Sequence, residues 1–462
     1  MSASTRPPDS RSSGSARALA IEVLRRVDAE DAYADLALGG ALSKSSLDAR
    51  DRAFATDLVY GTLRWRGRID YLLLARAKRG IAGLPPDARA ALRAGAYQIL
   101  FSRSTPVHAA VDETVKLIRG LGHEKLTGFV NALLRRLARE RNALQYPDRE
   151  KDPVAHAAAF HAHPAWLVER AFERFGEEEG VCSLEANNEI PPLVLRVNAG
   201  RITPGELSAQ LGEAGFPASP GRFAPGALVL SKRAPIGALP GFSEGLFAVQ
   251  DEASQLMGCL VDAQPGERVL DLCAAPGGKT AHLAECVGPG GSVVALDIHA
   301  GRLGLVADLC RRLGLANVES LLGDARKPPP QVARGGFDRV LVDAPCTGLG
   351  VLRRNPDARW RVKQDAPGRL ARLQSEILDR ARTLVRPGGV LVYSVCTFTQ
   401  EETDGVMSSL LASSPEVVVE LPGKVLGRAC EEVIAYERYM VRTWPHRQGI
   451  DGFYAVRMRR KG

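Results

Sequence analysis

Arg268-Val269-Leu270-Asp271-Leu272-Cys273-Ala274-Ala275-Pro276-Gly277-Gly278-Lys279-Thr280 decides the fold of this chain. Its apolar first part reads as a buried strand, and the small residues after it read as a turn that opens a helix. Such a turn lets the backbone approach a ligand closely, with the free N–H groups of the helix facing it. The ending Gly278-Lys279-Thr280 invites a phosphate-loop reading, but G-x-x-x-x-G-K-[ST] requires glycine where this chain has Cys273. The dinucleotide pattern G-x-G-x-x-G is missing as well.

Downstream of about residue 251, strands and helices alternate, which predicts a doubly wound, mostly parallel sheet. Ser292-Val293-Val294-Ala295-Leu296 is the second strand and runs into Asp297. An acidic residue about 20 or more positions after the glycine turn is placed to accept hydrogen bonds from ribose hydroxyls, so the expected ligand is a nucleoside. Asp324, after the third strand, is expected to bring a carboxylate beside the base. Phe337-Asp338-Arg339-Val340-Leu341-Val342 then ends at Asp343-Ala344-Pro345-Cys346, and a later apolar run ends at Tyr393-Ser394-Val395-Cys396-Thr397. Two thiols thus stand at two strand ends, the edge where parallel sheets bind ligands. A buried cysteine is more commonly a packing residue. Both of these lie just past their apolar runs, beside polar or turn-forming neighbours, and that placement favours chemistry.

Composition frames these motifs. A chain of 462 residues exceeds one ordinary core and predicts several domains. The eight cysteines form no C-x-x-C pair, which points to reduced thiols in a cytoplasmic protein and to no structural metal. No apolar run reaches the roughly 18 residues that span a bilayer, and Met1 to Pro8 lacks a hydrophobic signal core. No membrane association and no obligate protein partner are expected. The Ser/Pro/Arg-rich start, residues 1–15, reads as a disordered tail.

The net charge of +8 is uneven: residues 1–150 hold 25 Lys and Arg against 17 Asp and Glu, and the remainder holds 36 of each. A basic module joined to a neutral one suggests polyanion binding beside separate chemistry, although solubility alone accounts for a modest excess. Residues 16–150 show helical periodicity, with Leu19, Val23, Leu24 and Val27 on one face, Phe54, Leu58 and Val59 on a second, and Leu92, Ala96, Ile99 and Leu100 on a third. Leu126, Phe129, Val130, Leu133, Leu134 and Leu137 outline the strongest, among Arg135, Arg136, Arg139 and Arg141. Breaks are expected at Gly39-Gly40, Gly80 to Pro86 and Gly120 to Gly122. Residues 151–250 read as a linking helix and a small α/β subdomain, with a capping box at Thr203-Pro204-Gly205-Glu206. His161 and His163 read as solvated surface and take no role.

The helical region, with Asp57-Leu58-Val59-Tyr60-Gly61-Thr62-Leu63-Arg64, resembles the RNA-binding domain of the antitermination factor NusB. With Asp271 to Thr280, Asp343-Ala344-Pro345-Cys346-Thr347-Gly348, Arg353-Arg354-Asn355-Pro356-Asp357 and Gln250-Asp251-Glu252-Ala253-Ser254, nearly the whole chain resembles the RNA cytosine-5 methyltransferases that use S-adenosyl-L-methionine. It is most similar to their B-type 16S ribosomal RNA members. The resemblance implies a Rossmann-like class I methyltransferase domain over 251–462. It also implies that Cys273, Ala274, Ala275, Pro276, Gly277, Gly278 and Lys279 line the methyl donor. Asp297 then holds its ribose, and Asp324 and Asp343 complete the pocket. Cys396 becomes the nucleophile and Cys346 the thiol that permits release, with 16S rRNA as the partner. Val395 and Asn355 depart from the family's usual Thr and His.

The chemistry explains such a residue set. Cytosine C5 is a poor nucleophile, and thiolate addition at C6 makes it an enamine carbon able to take a methyl group. The thiol must be activated by its surroundings, for which Lys279 and the donor's positive charge are candidates. Asp343 is placed to bond the N3/N4 edge of the base. An amino-nitrogen methyltransferase would show Asn/Asp-Pro-Pro-aromatic instead of Asp-Ala-Pro-Cys. A noncatalytic RNA-binding protein would not need the thiols, and a tRNA substrate is the alternative within the cytosine-5 class.

Overall fold

The computed structural model of the chain describes residues 15–77, 80–103, 105–435 and 439–462. The tail expected to be disordered lies outside these residues up to position 14. The chain forms two compact units, Met1–Glu189 with Leu352–Val362, and Ile190–Val351 with Lys363–Gly462. No helix among the described residues is long and apolar enough to cross a membrane.

In the first unit the helices Ala16–Ala29, Ala34–Ser43, Ala49–Leu74, Pro86–Phe101, Val107–Gly120 and Thr127–Glu140 surround one apolar core. Val23, Leu24, Leu58, Val59, Leu92, Ile99, Val130 and Leu134 meet there, as their periodicity predicts. Ser15 accepts from Ala18 N at 3.1 Å and Asp48 from Asp51 N at 2.8 Å, so side chains satisfy free N–H groups at two helix starts. The break expected at Gly39-Gly40 is not one, because both glycines lie inside Ala34–Ser43. Ala37 and Leu38, buried in the core, hold that turn in place against the cost of glycine. Several arginines are internal: Arg93 forks onto Asp70 at 2.7 and 2.8 Å, while Arg66, Arg89 and Arg93 also pair with Asp28. Arg135, Arg136, Arg139 and Arg141 remain exposed.

The helices Pro153–Phe160, Ala165–Phe175 and Glu177–Ala186 complete this unit. His161 and His163, between the first two, are buried instead of solvated. His163 Nδ1 lies 2.7 Å from His161 O, and burial pushes the His161 pKa down to about 4. Leu352–Val362 belongs to the helical unit although it follows the Cys346 loop in sequence. Arg353 and Arg359 are buried at 2% and 0% exposure. Arg64 Nη2 donates to Arg353 O at 2.8 Å, and Trp360 Nε1 donates to Leu63 O at 2.9 Å. Arg359 donates to Asn188 Oδ1 at 2.7 Å, Asn187 O at 2.9 Å and Ala162 O at 3.2 Å.

The second unit carries two sheets. Strands β1 Val194–Val197, β2 Ala218–Pro220, β3 Ala227–Leu230 and β4 Phe247–Val249 form the smaller, antiparallel in the order β2-β3-β1-β4. Its helix Pro204–Glu213 opens with the expected capping box between Thr203 and Glu206. The larger contains β5 Arg268–Asp271, β6 Ser292–Asp297, β7 Val318–Leu322, β8 Phe337–Asp343, β9 Val385–Val395, β10 Val417–Val419, β11 Ile434–Ala435, β12 Met440–Arg442 and β13 Tyr454–Arg460. Its order is β11-β12-β13-β9-β8-β5-β6-β7, with β10 on β13. Strands β5 to β9 pair in parallel, and β13 runs antiparallel to β9.

Alternate strand residues supply two cores. Leu270, Val294, Val340, Val342 and Tyr393 pack with Ile377, Leu378 and Ala381 on one face. Val269, Val293, Leu341 and Val392 pack with Leu256, Leu260 and Leu283 on the other. The sheet is therefore doubly wound, and its strand order reverses between β5 and β8, where such sheets open their ligand crevice.

Replacing Arg359 by alanine should destabilise the protein by about 3 kcal/mol, since three buried carbonyls and an amide oxygen lose their donor. Urea unfolding measures this, and a change within the scatter of surface substitutions would show that the buried guanidinium is dispensable.

Candidate active site

The crevice is built from the carboxyl ends of β5, β6, β8 and β9. After β5 the chain turns through Cys273 to Gly277, closed by Gly277 N donating to Ala274 O at 2.8 Å and tied to β6 by Ala274 N donating to Leu296 O at 3.0 Å. Gly277 has φ +105°, and a Cβ there would lie 2.9 Å from Val306 Cα, so both backbone and space require glycine. Gly278, which opens the helix Gly278–Val287, meets only the end of Gln250 at 3.6 Å. Its Cβ-side is open enough for close approach.

Asp297, at the end of β6, is buried and faces this turn. Its Oδ2 accepts from Ala275 N at 3.1 Å and its Oδ1 from His299 N at 2.9 Å. Each carboxylate oxygen has two acceptor positions, so both keep one for a ligand hydroxyl. Asp324 follows β7, which runs beside β6 with Leu322 opposite Asp297. Arg326 grips it through Nη2 at 2.7 Å and Nε at 3.1 Å, and this bond holds its carboxyl below the ordinary range.

Asp343 ends β8 and bridges the crevice. Lys279 Nζ donates to Oδ2 at 2.7 Å, and Ser394 Oγ of β9 donates to Oδ1 at 2.8 Å. The Lys279 ammonium also lies 4.9 Å from the Phe453 ring centre. Although burial opposes its charge, Asp343 outweighs burial and raises its pKa, so the lysine is a cation already neutralised by a neighbour. Asp271, Asp297, Asp324 and Asp343 gather around Cys273, and burial together with these carboxylates pushes that thiol well up. With Asp343 paired to Lys279 and Asp324 to Arg326, Asp297 leaves the pocket a carboxylate held by backbone N–H groups. It disfavours polyphosphate and suits a cationic nucleoside.

The two strand-end thiols meet. Cys346 Sγ and Cys396 Sγ are 3.3 Å apart, beyond the length of a disulfide and within hydrogen-bond reach for sulfur. They converge because Asp343 of β8 pairs with Ser394 of β9, and Ala344 N donates to Ser394 O at 2.9 Å. Gly350 N then donates to Cys396 O at 2.9 Å and folds the Cys346 loop back over the end of β9. The bond to Cys396, reinforced by burial, pushes the Cys346 pKa well up, so Cys346 keeps its proton. Val395 is fully buried in the apolar layer.

The structure thus brings together Cys273 to Lys279, Asp297, Asp343, Cys346 and Cys396, with Asp324 on the same edge. Sequence reasoning missed Ser394, Phe453 and Glu402. Ser394 and Phe453 give no signal apart from the fold. Glu402 stands three residues after Thr399, a spacing that reads locally as a helix-start pair, and the Thr399 hydroxyl does donate to Glu402 Oε2 at 2.8 Å.

Three family profiles match this chain: 16S rRNA methyltransferase RsmB/F over residues 258–459, the NusB family over 14–139, and the ferredoxin-like domain of RsmF/B-like methyltransferases over 163–237. The ribosomal RNA small subunit methyltransferase B of Pseudomonas putida is 38% identical over 84% of this chain and 89% of its own length. That of Pseudomonas syringae pv. tomato is 36% identical over 94% of this chain and 96% of its own. The crystal structure of the protein PH0851 matches with a TM-score of 0.80 at 28% identity, over 98% of this chain and 99% of that one.

Burial pushes the Asp271 pKa up to about 7, against the Thr280 hydroxyl that donates to it at 2.7 Å. The folded protein therefore binds this proton more tightly than the unfolded chain, and stability falls as pH rises from the ordinary carboxyl range through about 7. Asp271→Asn, which keeps an acceptor for Thr280 and cannot ionise, should gain in Tm over the parent as pH goes from 5 to 8. Melting curves across that range giving a constant difference would contradict this assignment.

Proposed function

The chain belongs to the RsmB/F family of 16S ribosomal RNA methyltransferases, and from that premise we propose that it methylates carbon 5 of a cytosine in 16S rRNA through a covalent cysteine adduct. The observation that carries this reading is the pair of free thiols 3.3 Å apart at the ends of two adjacent parallel strands. In this reading Cys396 is the nucleophile, and the Cys346 thiol stands beside it within hydrogen-bond reach.

S-adenosyl-L-methionine is the methyl donor, and its sulfonium supplies an electrophilic methyl group when bound. The crevice fits it: Asp297 has acceptor positions left for ribose hydroxyls, Asp324 lies one strand further along the edge, and the turn Cys273 to Gly278 offers open backbone. Lys279, the cation of the turn itself, is occupied by Asp343.

Cys396 gives its proton to water, its thiolate adds to C6 of the cytosine, and the ring's electron pair moves to C5. Asp343, whose two oxygens each retain an acceptor position beside Lys279 and Ser394, accepts from the base's amino edge and fixes the ring. C5 takes the methyl group, the carbon–sulfur bond to the donor breaking with its pair left on the donor sulfur. A water positioned beside Cys346, which keeps its own proton, then receives the C5 proton. The C6–Sγ bond breaks, and its pair returns to Cys396 as the ring regains its double bond. The NusB-family match over the helical unit and the exposed arginines of Thr127–Glu140 support RNA as the substrate.

Incubating the protein with labelled donor and 16S rRNA, then mapping the product, tests the reading; methyl at any atom but cytosine C5 would overturn it. Cys396→Ala should abolish transfer, whereas Cys346→Ala should accumulate a protein–RNA adduct on denaturing gels. An adduct formed by Cys396→Ala instead would reverse the two roles. Asp297→Ala should weaken donor binding by about 1–3 kcal/mol, as expected when buried hydrogen bonds lose a partner. Calorimetry showing unchanged affinity would remove Asp297 from the site.

A further inference from the structure

Beneath the thiol pair lies a fully buried carboxylate that the reaction does not use. Glu402 sits in the π-helical turn Glu401–Gly405 and is 0% exposed. A carboxylate in an apolar interior is costly unless donors surround it, and here they do. Glu402 Oε1 accepts from Thr347 N at 2.8 Å and from Gln374 Nε2 at 3.1 Å. Its Oε2 accepts from Thr347 Oγ1 at 2.6 Å and from Thr399 Oγ1 at 2.8 Å. Thr397 Oγ1 lies 2.7 Å from Thr347 Oγ1 and 3.3 Å from Oε2, which extends the chain of hydroxyls to the second loop.

The positions of these donors matter more than their number. Thr347 directly follows Cys346, and Thr397 directly follows Cys396. Gln374 also donates to Pro345 O at 2.9 Å, so Cys346 is held from both sides. Tyr393 OH, from β9, donates to Glu402 O at 2.7 Å and fixes the turn itself. A glutamate that merely stabilised its own turn would draw its donors from that turn. This one gathers them from the Cys346 loop, from the end of β9 and from the helix Ala366–Leu384.

We propose that Glu402 is the positioning residue of the thiol pair: its carboxylate ties the residues after both cysteines to one point and sets the separation of Cys346 from Cys396. The consequence for turnover rests on the covalent mechanism proposed above, while the consequence for geometry does not.

Phenylarsine oxide, which bridges two adjacent thiols, reads the geometry without reference to RNA, with Cys346→Ala reporting the background from other cysteines. In the full-length protein, Glu402→Gln turns an amide NH2 toward the donors; it should capture the arsenical about 10-fold more weakly and lose about 10²-fold in kcat, the scale of a misplacement near 1 Å. The KM for S-adenosyl-L-methionine should stay put, because Asp297 and the Cys273 turn are untouched, and Glu402→Asp should recover part of both losses. Arsenical capture and kcat equal to the parent's in a folded Glu402→Gln protein would overturn the proposal. If that variant does not fold, Thr347→Val, which keeps the shape and removes one link, must show smaller losses of both kinds; parental values there overturn it equally. A parent protein that captures the arsenical but methylates no cytosine would overturn the reading of function, and the capture comparison would still judge the clamp.

Discussion

Everything in the crevice depends on the parallel pairing of β8 with β9 that sets Asp343 opposite Ser394. That register puts both strand ends at one height, so the loops leaving them deliver Cys346 and Cys396 to the same place. It also puts the Ser394 hydroxyl against Asp343 at 2.8 Å and frees the other oxygen of that carboxylate for Lys279. A slip of one residue would send Ser394 to the opposite face and separate the thiols. The register is secured by burial on both faces, since alternate residues of β8 and β9 enter two different apolar layers. Packing remote from the chemistry therefore sets the two strand ends at one height, and Glu402 acts on the loops beyond them.

Electrostatics divides the crevice into two functions. Asp297, bonded to backbone N–H groups, keeps the β6 end acidic, while Lys279 engages Asp343 and Arg326 engages Asp324. The thiol side carries no charged partner in direct contact with either sulfur among the described residues; its one carboxylate, Glu402, is a residue away and consumed by hydroxyl and amide donors. Such an arrangement favours a cation next to two sulfurs and leaves the proton transfers to water beside them.

Much of this was legible in the sequence because it lies at strand ends. The strand to glycine-turn transition at Leu272–Gly278, the acid at Asp297 and both cysteines are set by local pattern, and a doubly wound sheet brings such positions to one edge. Contacts at long sequence separation were not legible. Nothing local to Glu402 reveals that Thr347 and Gln374 donate to it. Nothing local shows that Arg353 and Arg359 are interior to the helical unit, where Arg359 donates to carbonyls and to an amide oxygen. Gly39-Gly40 misled for a related reason: core burial of Ala37 and Leu38 overrides the local preference of glycine. His161 and His163 were misjudged as surface because helix packing, not the sequence around them, buries their turn.

The most direct test of the account is to trap the enzyme on 16S rRNA carrying 5-fluorocytosine. Fluorine at C5 cannot leave as a proton does, so the covalent adduct should persist after methyl transfer. Digestion and mass spectrometry should then find the pyrimidine bonded through C6 to the peptide containing Cys396. A pyrimidine bonded to Cys346, or methylation of ordinary 16S rRNA with no adduct trapped on the fluorinated one, would contradict it.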